Sequence, residues 1–153
     1  MSASKGSRVE RELVNLLLDL GFEIMRAPSS GAATSRDLPD VLAGNGDGLI
    51  VAVELKAWKD GTHYFDEEEV AALQRFANGF HPDTVPLLGT RWNQDTRFYV
   101  ARPDAEALHR TDSGNVRAKK EVAREEWETL EDYVSRNWEG LRDHQHSQSH
   151  SPV

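Results

Sequence analysis

Apolar residues in the first third of the chain change from helical to strand spacing. The first segment has five apolar residues spaced for one helix face: Val9, Leu13, Leu16, Leu17 and Leu20. This spacing predicts a helix from about Ser7, and Gly21 supplies a stop signal. Residues 22–27, FEIMRA, then predict a strand, and residues 28–37, PSSGAATSRD, predict a loop of small and polar residues.

The most apolar run of the chain is residues 49–58, LIVAVELKAW. It is rich in β-branched residues, which predicts a central strand. The LPDVLA segment at residues 38–43 predicts a short strand, and GNGDG at residues 44–48 is a strong hairpin turn signal. The two strands should therefore pair as an antiparallel hairpin.

The second half of the chain continues with a helix, two strands and a helix. A helix is predicted from about Asp66, with this buried face: Val70, Leu73, Phe76, Ala77 and Phe80. Strands follow at residues 85–90 and 97–102. A last helix is predicted from about Glu121, with one apolar stripe: Trp127, Leu130, Val134 and Trp138. The order α-β-β-β-α-β-β-α predicts an α/β sheet packed by helices.

Length and composition indicate one domain over residues 1–143, followed by a disordered polar tail at residues 144–153. The chain has no cysteine, no run that could span a bilayer and no signal-peptide core. We therefore expect a soluble cytoplasmic protein without disulfides or membrane contact. The tail contains His144, His146 and His150. A flexible tail does not hold the geometry that a functional zinc site needs, so we expect no metal there.

The net charge of −8 argues against a nucleic-acid binder, since such proteins are usually basic. The charge is unevenly distributed, because residues 1–36 carry five bases and four acids. Arginine outnumbers lysine, 13 to 5. An acidic, lysine-poor composition is typical of proteins adapted to high salt, and an ordinary acidic cytoplasmic protein is the alternative.

Three charges stand beside or inside the most apolar run: Asp40, Glu54 and Lys56. Any one of them alone is more often structural. The alternation of a strand, however, puts Glu54, Lys56 and Trp58 on one face, and the predicted hairpin folds Asp40 back beside them. Two carboxylates, with the backbone carbonyl of Leu55, form an oxygen set that suits Mg²⁺. A nearby lysine can orient a water molecule or neutralise developing charge.

The spacing is Pro39-Asp40, thirteen intervening residues, then Glu54-Leu55-Lys56. As a pattern of letters it is weak, because short acidic pairs are common. Its context of a helix, a strand and a hairpin resembles the core of the PD-(D/E)xK nuclease superfamily, whose members cut DNA with divalent metal.

Further segments narrow the resemblance. They are KGSRVERELVNLLLDLGFEIMRAPSSG (5–31), PDVLA (39–43), VAVELKAWKD (51–60), Tyr64 and RTDSGN (110–115). Together they resemble the archaeal Holliday junction resolvases over roughly residues 5–115. The resemblance implies a restriction-endonuclease-like fold with a mixed central sheet of about five strands flanked by helices. It also implies a homodimer that cleaves four-way DNA junctions with Mg²⁺, for which Mn²⁺ substitutes.

The resemblance assigns residues of the helical and loop segments to the site. Glu10 is its third acidic residue, although Ser7-x-x-Glu10 is also a capping box. Arg11 contacts phosphate or arranges the site, or is a solvated helix arginine. Arg26 holds a phosphate, or forms a surface ion pair.

Ser30 and Tyr64 complete the predicted DNA contacts. Ser30 matches a family serine in a flexible loop, with Ser29 beside it as an alternative, and belongs to the site near the scissile phosphate. No base is paired with Ser30 in the sequence, so we do not expect it to be the nucleophile. Tyr64 supports the site or touches DNA, and simple packing is the alternative.

The chain departs from the family at Glu69, where the family often has a glutamine. Asp66-x-x-Glu69 is a capping box, so Glu69 either only caps the helix or changes the electrostatics of the site. The candidates for the dimer interface are aromatic: Phe80, Trp92, Phe98, Trp127 and Trp138. Burial in the monomer core is the alternative for each.

Two other functions stay open. One is a restriction- or repair-type nuclease of the same superfamily. The other is a non-catalytic homologue that binds junctions, against which the intact set of Asp40, Glu54 and Lys56 argues.

Overall fold

The computed structural model describes residues 2–27, 38–57 and 60–140, which form a mixed α/β fold. The helices are α1 (Ser2–Asp19), α2 (Glu67–Phe80), α3 (Lys120–Glu126) and α4 (Leu130–Asn137). The strands are β1 (Glu23–Arg26), β2 (Val41–Gly44), β3 (Ile50–Lys56), β4 (His63–Phe65), β5 (Thr84–Thr90), β6 (Tyr99–Ala101), β7 (His109–Arg110), β8 (Val116–Ala118) and β9 (Glu128–Thr129).

The main sheet has six strands in the order β1-β2-β3-β5-β6-β9, and a smaller sheet has the order β4-β8-β7. Strands β3 and β5 are parallel, whereas the other neighbours in the main sheet are antiparallel. The predicted mixed α/β class is confirmed, with six strands in place of about five. The predicted domain boundary at residue 143 and the polar tail lie outside the described residues.

Strand β3 is the centre of the main sheet and is buried on both faces. Val51 and Val53 pack into a first core with α1 and α4, and Ala52 packs into a second core with α2 and the small sheet. The hairpin to β2 forms as predicted, with Gly46 and Gly48 at φ values of 70° and 93°. Those left-handed conformations favour glycine, which explains the GNGDG signal.

Helix α1 begins at Ser2, so the prediction of a start near Ser7 is wrong. Ser7 lies inside the helix and is not an N-cap, which removes the capping interpretation of Glu10 at the helix start. The end of the helix agrees with the prediction. Phe22 N–H donates to Leu17 O at 3.0 Å and Gly21 adopts a φ of 101°. This turn returns the chain into β1.

The predicted last helix is two helices, because its apolar stripe serves two cores. Trp127 packs into the second core, whereas Leu130, Val134 and Trp138 pack into the first. The two cores lie on opposite faces of the main sheet, so one straight helix cannot bury both sets. The chain crosses between them as β9, and Thr129 caps α4 by accepting a hydrogen bond from the Asp132 N–H at 3.2 Å.

The small sheet is absent from the sequence-based prediction, since its strands are only two or three residues long. It closes the second core through Phe65, Val116 and Ala118. His63 is also buried, and its ring stacks on that of Trp92 with a centroid separation of 4.9 Å.

Four of the five predicted interface residues are buried in the chain itself: Trp92, Phe98, Trp127 and Trp138. For these the prediction is wrong and the core alternative is correct. Phe80, also expected on the buried face of α2, is 52% exposed. Among the described residues, no helix combines the length and apolarity needed to cross a bilayer.

Candidate active site

The hairpin brings Asp40 beside Glu54, as the sequence predicts. Val41 pairs with Val53, so the residue before Val41 lies level with the residue after Val53. The Leu55 N–H donates a hydrogen bond to Asp40 Oδ2 at 2.8 Å. This hydrogen bond therefore fixes the Asp40 carboxylate beside the C-terminal end of β3.

Glu54 lies on the face of β3 that is directed at α2, because it shares its strand parity with Ala52 of the second core. Burial raises the pKa of Glu54, and the charges of Asp40 and Glu69 raise it further, to about 8. Burial also raises the pKa of Asp40, against the lowering effect of its hydrogen bond from Leu55. Two carboxyl groups are therefore brought together where neither is fully solvated, which raises the cost of ionising both.

Lys56 lies on the same face and contacts α2. Its Nζ lies 2.7 Å from Glu69 Oε2. The other oxygen of Glu69, Oε1, accepts a hydrogen bond from the Asp66 N–H at 3.0 Å, and Asp66 Oδ1 accepts one from the Glu69 N–H at 2.8 Å. The capping box of α2 is thus confirmed. The two interpretations of Glu69 are compatible, because one carboxylate both caps the helix and binds Lys56.

Glu10 forms an ion pair with Arg26, whose Nε lies 2.8 Å from Glu10 Oε1. Arg26 therefore makes an ion pair in this structure, and its contact with a DNA phosphate stays a prediction. Glu10 lies near the other acids, since its charge raises the pKa of both Asp40 and Glu54. Within the described parts of the chain, however, no three acidic or histidine side chains are grouped closely enough to hold a metal ion. Glu10 is paired with Arg26 here, and its role as a third acidic ligand stays a prediction.

The remaining predicted residues lie outside this cluster or outside the described structure. Arg11 is exposed on α1, and no salt bridge to a described residue involves it. Tyr64 is 51% exposed on β4, which does not support simple packing. Ser30 and Trp58 lie outside the described residues.

The donor set of Asp40 and Glu54 fits a divalent cation. Mg²⁺ is commonly bound through one or two carboxylates, with water and substrate phosphate completing its octahedron. Burial raises the pKa of Glu54, the nearby Asp40 carboxylate raises it further, and a bound cation would favour the ionised form. A pair of carboxylates and an ammonium group is suited to the hydrolysis of a phosphodiester.

The mixed sheet, with Pro-Asp and Glu-x-Lys meeting at one end of a central strand, has the arrangement implied by the resemblance to PD-(D/E)xK nucleases. Comparison with known proteins gives the family. A model of the archaeal Holliday junction resolvase (Hjc) matches residues 1–139. The chain belongs to the archaeal Holliday junction resolvase family.

Individual relatives agree with this assignment. The crossover junction endodeoxyribonuclease Hjc of Sulfolobus acidocaldarius is 34% identical over 120 residues, which cover 78% of this chain and 79% of that protein. The Hjc of Sulfurisphaera tokodaii is 33% identical over 132 residues, covering 86% of each. A structure of Archaeoglobus fulgidus Hjc, a Holliday junction resolvase, matches with a TM-score of 0.71 at 26% identity, covering 84% of this chain and 98% of that chain.

Sequence reasoning missed the pairing of Arg26 with Glu10. These residues are sixteen positions apart, on α1 and on the strand that follows it. The Gly21 turn was a usable signal, because it folds β1 back beside α1. The pairing itself depends on how the two elements pack, which spacing alone does not fix.

Proposed function

We propose that the protein is a metal-dependent endonuclease that cleaves four-way DNA junctions. The observation that carries the proposal is the hydrogen bond from the Leu55 N–H to Asp40, which holds that carboxylate beside Glu54 and Lys56. Membership in the resolvase family and the names of the relatives support the junction as substrate. The acidic net charge is then consistent with a salt-adapted protein that binds DNA through local contacts.

Asp40 and Glu54 would hold Mg²⁺, with the backbone carbonyl of Leu55 as a further oxygen and Mn²⁺ as a substitute. The ion would lower the pKa of a bound water and stabilise charge on the phosphate. The chain contributes the position of the carboxylates, which the β2–β3 register and the Leu55 N–H fix before any substrate arrives.

Lys56 would orient the attacking water or neutralise charge at the scissile phosphate. Glu10 would assist through water at the edge of the site. Its partner Arg26 has a side chain that is 37% exposed, so it can exchange part of this ion pair for a DNA phosphate. Arg11, Ser30 and Tyr64 would contact DNA, as the resemblance implies.

A nicking assay on a synthetic four-way junction with Mg²⁺ tests the proposal. We expect the junction to be cut in preference to a linear duplex of the same arms, and Asp40→Asn to abolish cutting. Asp83→Asn is the matched control, because Asp83 is exposed and remote in sequence from the site. Equal cutting of duplex and junction would contradict the junction claim. Sequence-dependent cutting of the duplex would favour a restriction-type enzyme, and tight binding without cutting would favour a non-catalytic homologue.

A homodimer forms part of the proposal, because a two-fold protein matches the two symmetric strands of a junction. An exposed apolar patch supports it. We call it the Met25–Phe80 patch, formed by Met25, Leu38, Leu42, Phe76 and Phe80. Met25 is 71% exposed and Phe80 52% exposed, and the patch adjoins β1, an edge strand of the main sheet. Contiguous exposed apolar surface of this kind often marks a protein interface.

A further inference from the structure

We propose that Glu69 is a positioning residue for catalysis, which holds Lys56 in place beside the carboxylate pair. The inference rests on the proposed nuclease function and goes beyond it. Neither the capping role of Glu69 nor the role of Lys56 in hydrolysis by itself requires the contact between them, yet the two side chains meet at 2.7 Å.

Each oxygen of the Glu69 carboxylate has its own partner. Oε1 accepts the Asp66 N–H at 3.0 Å, and Oε2 contacts Lys56 Nζ at 2.7 Å. The Glu69 N–H is itself bound to Asp66 Oδ1 at 2.8 Å. Backbone and side chain of Glu69 are therefore both fixed at the start of α2. This helix is anchored in turn by Val70 and Leu73, which are buried in the second core.

A lysine side chain needs a fixed partner to keep one conformation, because it has four rotatable carbon–carbon bonds and a mobile ammonium group. Without another partner, the Lys56 ammonium would move between Asp40 and Glu54, because its attraction to the two carboxylates is strongest there. An ammonium in that position would compete with a divalent cation for the same oxygens. Glu69 offers a third carboxylate on α2, so the ammonium is directed to one side of the pair. The side chains of Lys56 and Glu69 are 34% and 28% exposed, so water screens the pair only in part.

The capping box supplies a matched control. Glu69→Ala removes both the contact with Lys56 and half of the box, whereas Asp66→Ala removes the other half and leaves Glu69 beside Lys56. Single-turnover cleavage of a four-way junction, with enzyme in excess, separates the two roles. We expect Glu69→Ala to lower the maximal rate about tenfold, within the range for a misplaced catalytic group. Asp66→Ala should change the rate less than twofold, because the Asp66 N–H still donates to Glu69 Oε1 and the buried Val70 and Leu73 still anchor α2. Neither variant should change the Kd for the junction by more than twofold.

A double-mutant cycle tests whether Glu69 acts through Lys56. In a Lys56→Ala background, Glu69→Ala should have no further effect on the rate. Glu69→Gln should recover part of the rate lost in Glu69→Ala, since its one carbonyl oxygen can still accept from Lys56. A full tenfold loss in the Lys56→Ala background would overturn the proposal, as would an equal loss in Asp66→Ala.

A measurement on metal-free protein tests the contact between Glu69 and Lys56 independently of nuclease activity. Nitrogen-15 NMR of the lysine ammonium groups reports whether Lys56 Nζ is held. We expect a slowly exchanging Lys56 signal in the wild type and in Asp66→Ala, and its loss in Glu69→Ala. An unchanged signal in Glu69→Ala would overturn the positioning role, even if the wild type cuts junctions. If the wild type cuts no junction but the signal behaves as expected, the proposed function fails and the Glu69–Lys56 coupling stands.

Discussion

Replacing Glu54 by glutamine should stabilise the metal-free protein while removing its activity. The pKa of Glu54 is raised from 4.5 to about 8, by burial first and then by the charge of Asp40. The unfolded chain releases this proton above pH 4.5, whereas the folded chain keeps it up to about pH 8. The contribution of Glu54 to stability is therefore fully present below pH 4.5 and is lost as the pH rises towards 8. Because glutamine cannot ionise, the stability of the variant does not fall in this way between pH 4.5 and pH 8.

The size of the gain follows from the pKa difference. For each pH unit between 4.5 and 7, ionisation of Glu54 lowers the free energy of unfolding of the wild type by about 1.4 kcal/mol. The upper limit of the gain from Glu54→Gln at pH 7 is therefore about 3.4 kcal/mol. Glu54 is only partly buried, and solvent screening reduces this to about 2 kcal/mol. For a chain of this length, that is a rise in Tm of about 4–8 °C.

Thermal unfolding in a chelator, at several pH values from 4.5 to 8, measures the effect. We expect the Tm of Glu54→Gln to exceed that of the wild type at pH 7 and to converge with it near pH 4.5. Mg²⁺ should raise the Tm of the wild type more than that of the variant, and the variant should cut no junction, as we expect for Asp40→Asn.

The control is Glu125→Gln, an exposed position on α3, which should change the free energy of unfolding by less than about 0.5 kcal/mol. A Glu54→Gln variant that is no more stable than wild type at pH 7 would refute the reasoning. So would a gain of the same size at pH 4.5 and pH 7, because it would not come from ionisation.

Three further predictions test other parts of the molecule. Burial raises the pKa of Asp95, but hydrogen bonds from the Arg97 N–H and from the side chains of Tyr99 and Arg124 outweigh it and bring the pKa to about 2. Its stabilisation is present above pH 3.8 and is lost as the pH falls towards 2. Asp95→Asn should therefore cost about 2 kcal/mol in urea unfolding at pH 7 and less near pH 2, and an equal cost at both would refute this. Phe80→Glu, in the Met25–Phe80 patch, should give a monomer in light scattering with little change in Tm, and a persistent dimer would place the interface elsewhere. Gly21→Ala should cost about 1–2 kcal/mol, because alanine is strained at a φ of 101°, and unchanged urea unfolding would contradict this.

The parts of the fold and site that the sequence predicts are those set by local chemistry. The hairpin at residues 44–48 required left-handed glycines, and strand alternation then placed Asp40, Glu54 and Lys56 on one face. The parts it does not predict depend on packing between distant elements. Trp127 and Leu130 have helical spacing, yet they bury on opposite faces of the sheet.

Ion pairs and hydrogen bonds of charged residues can likewise be predicted within one element but not between distant elements. Glu69 and Asp66 are three residues apart, so their capping box could be predicted from spacing. The contact between Glu69 and Lys56 could not, because it requires α2 to lie over the end of β3. The pairing of Glu10 with Arg26 likewise requires α1 and β1 to be packed side by side.

The crossing of β9 between the two cores has a consequence for how the protein unfolds. Trp127 fills one core, and Leu130, only three residues later, fills the other. Because the segment from Trp127 to Leu130 is so short, displacing either side chain from its core would displace the other. The two cores should therefore unfold together. In native-state hydrogen exchange, the amides of α1 and α2 should then share one high protection level, set by global unfolding.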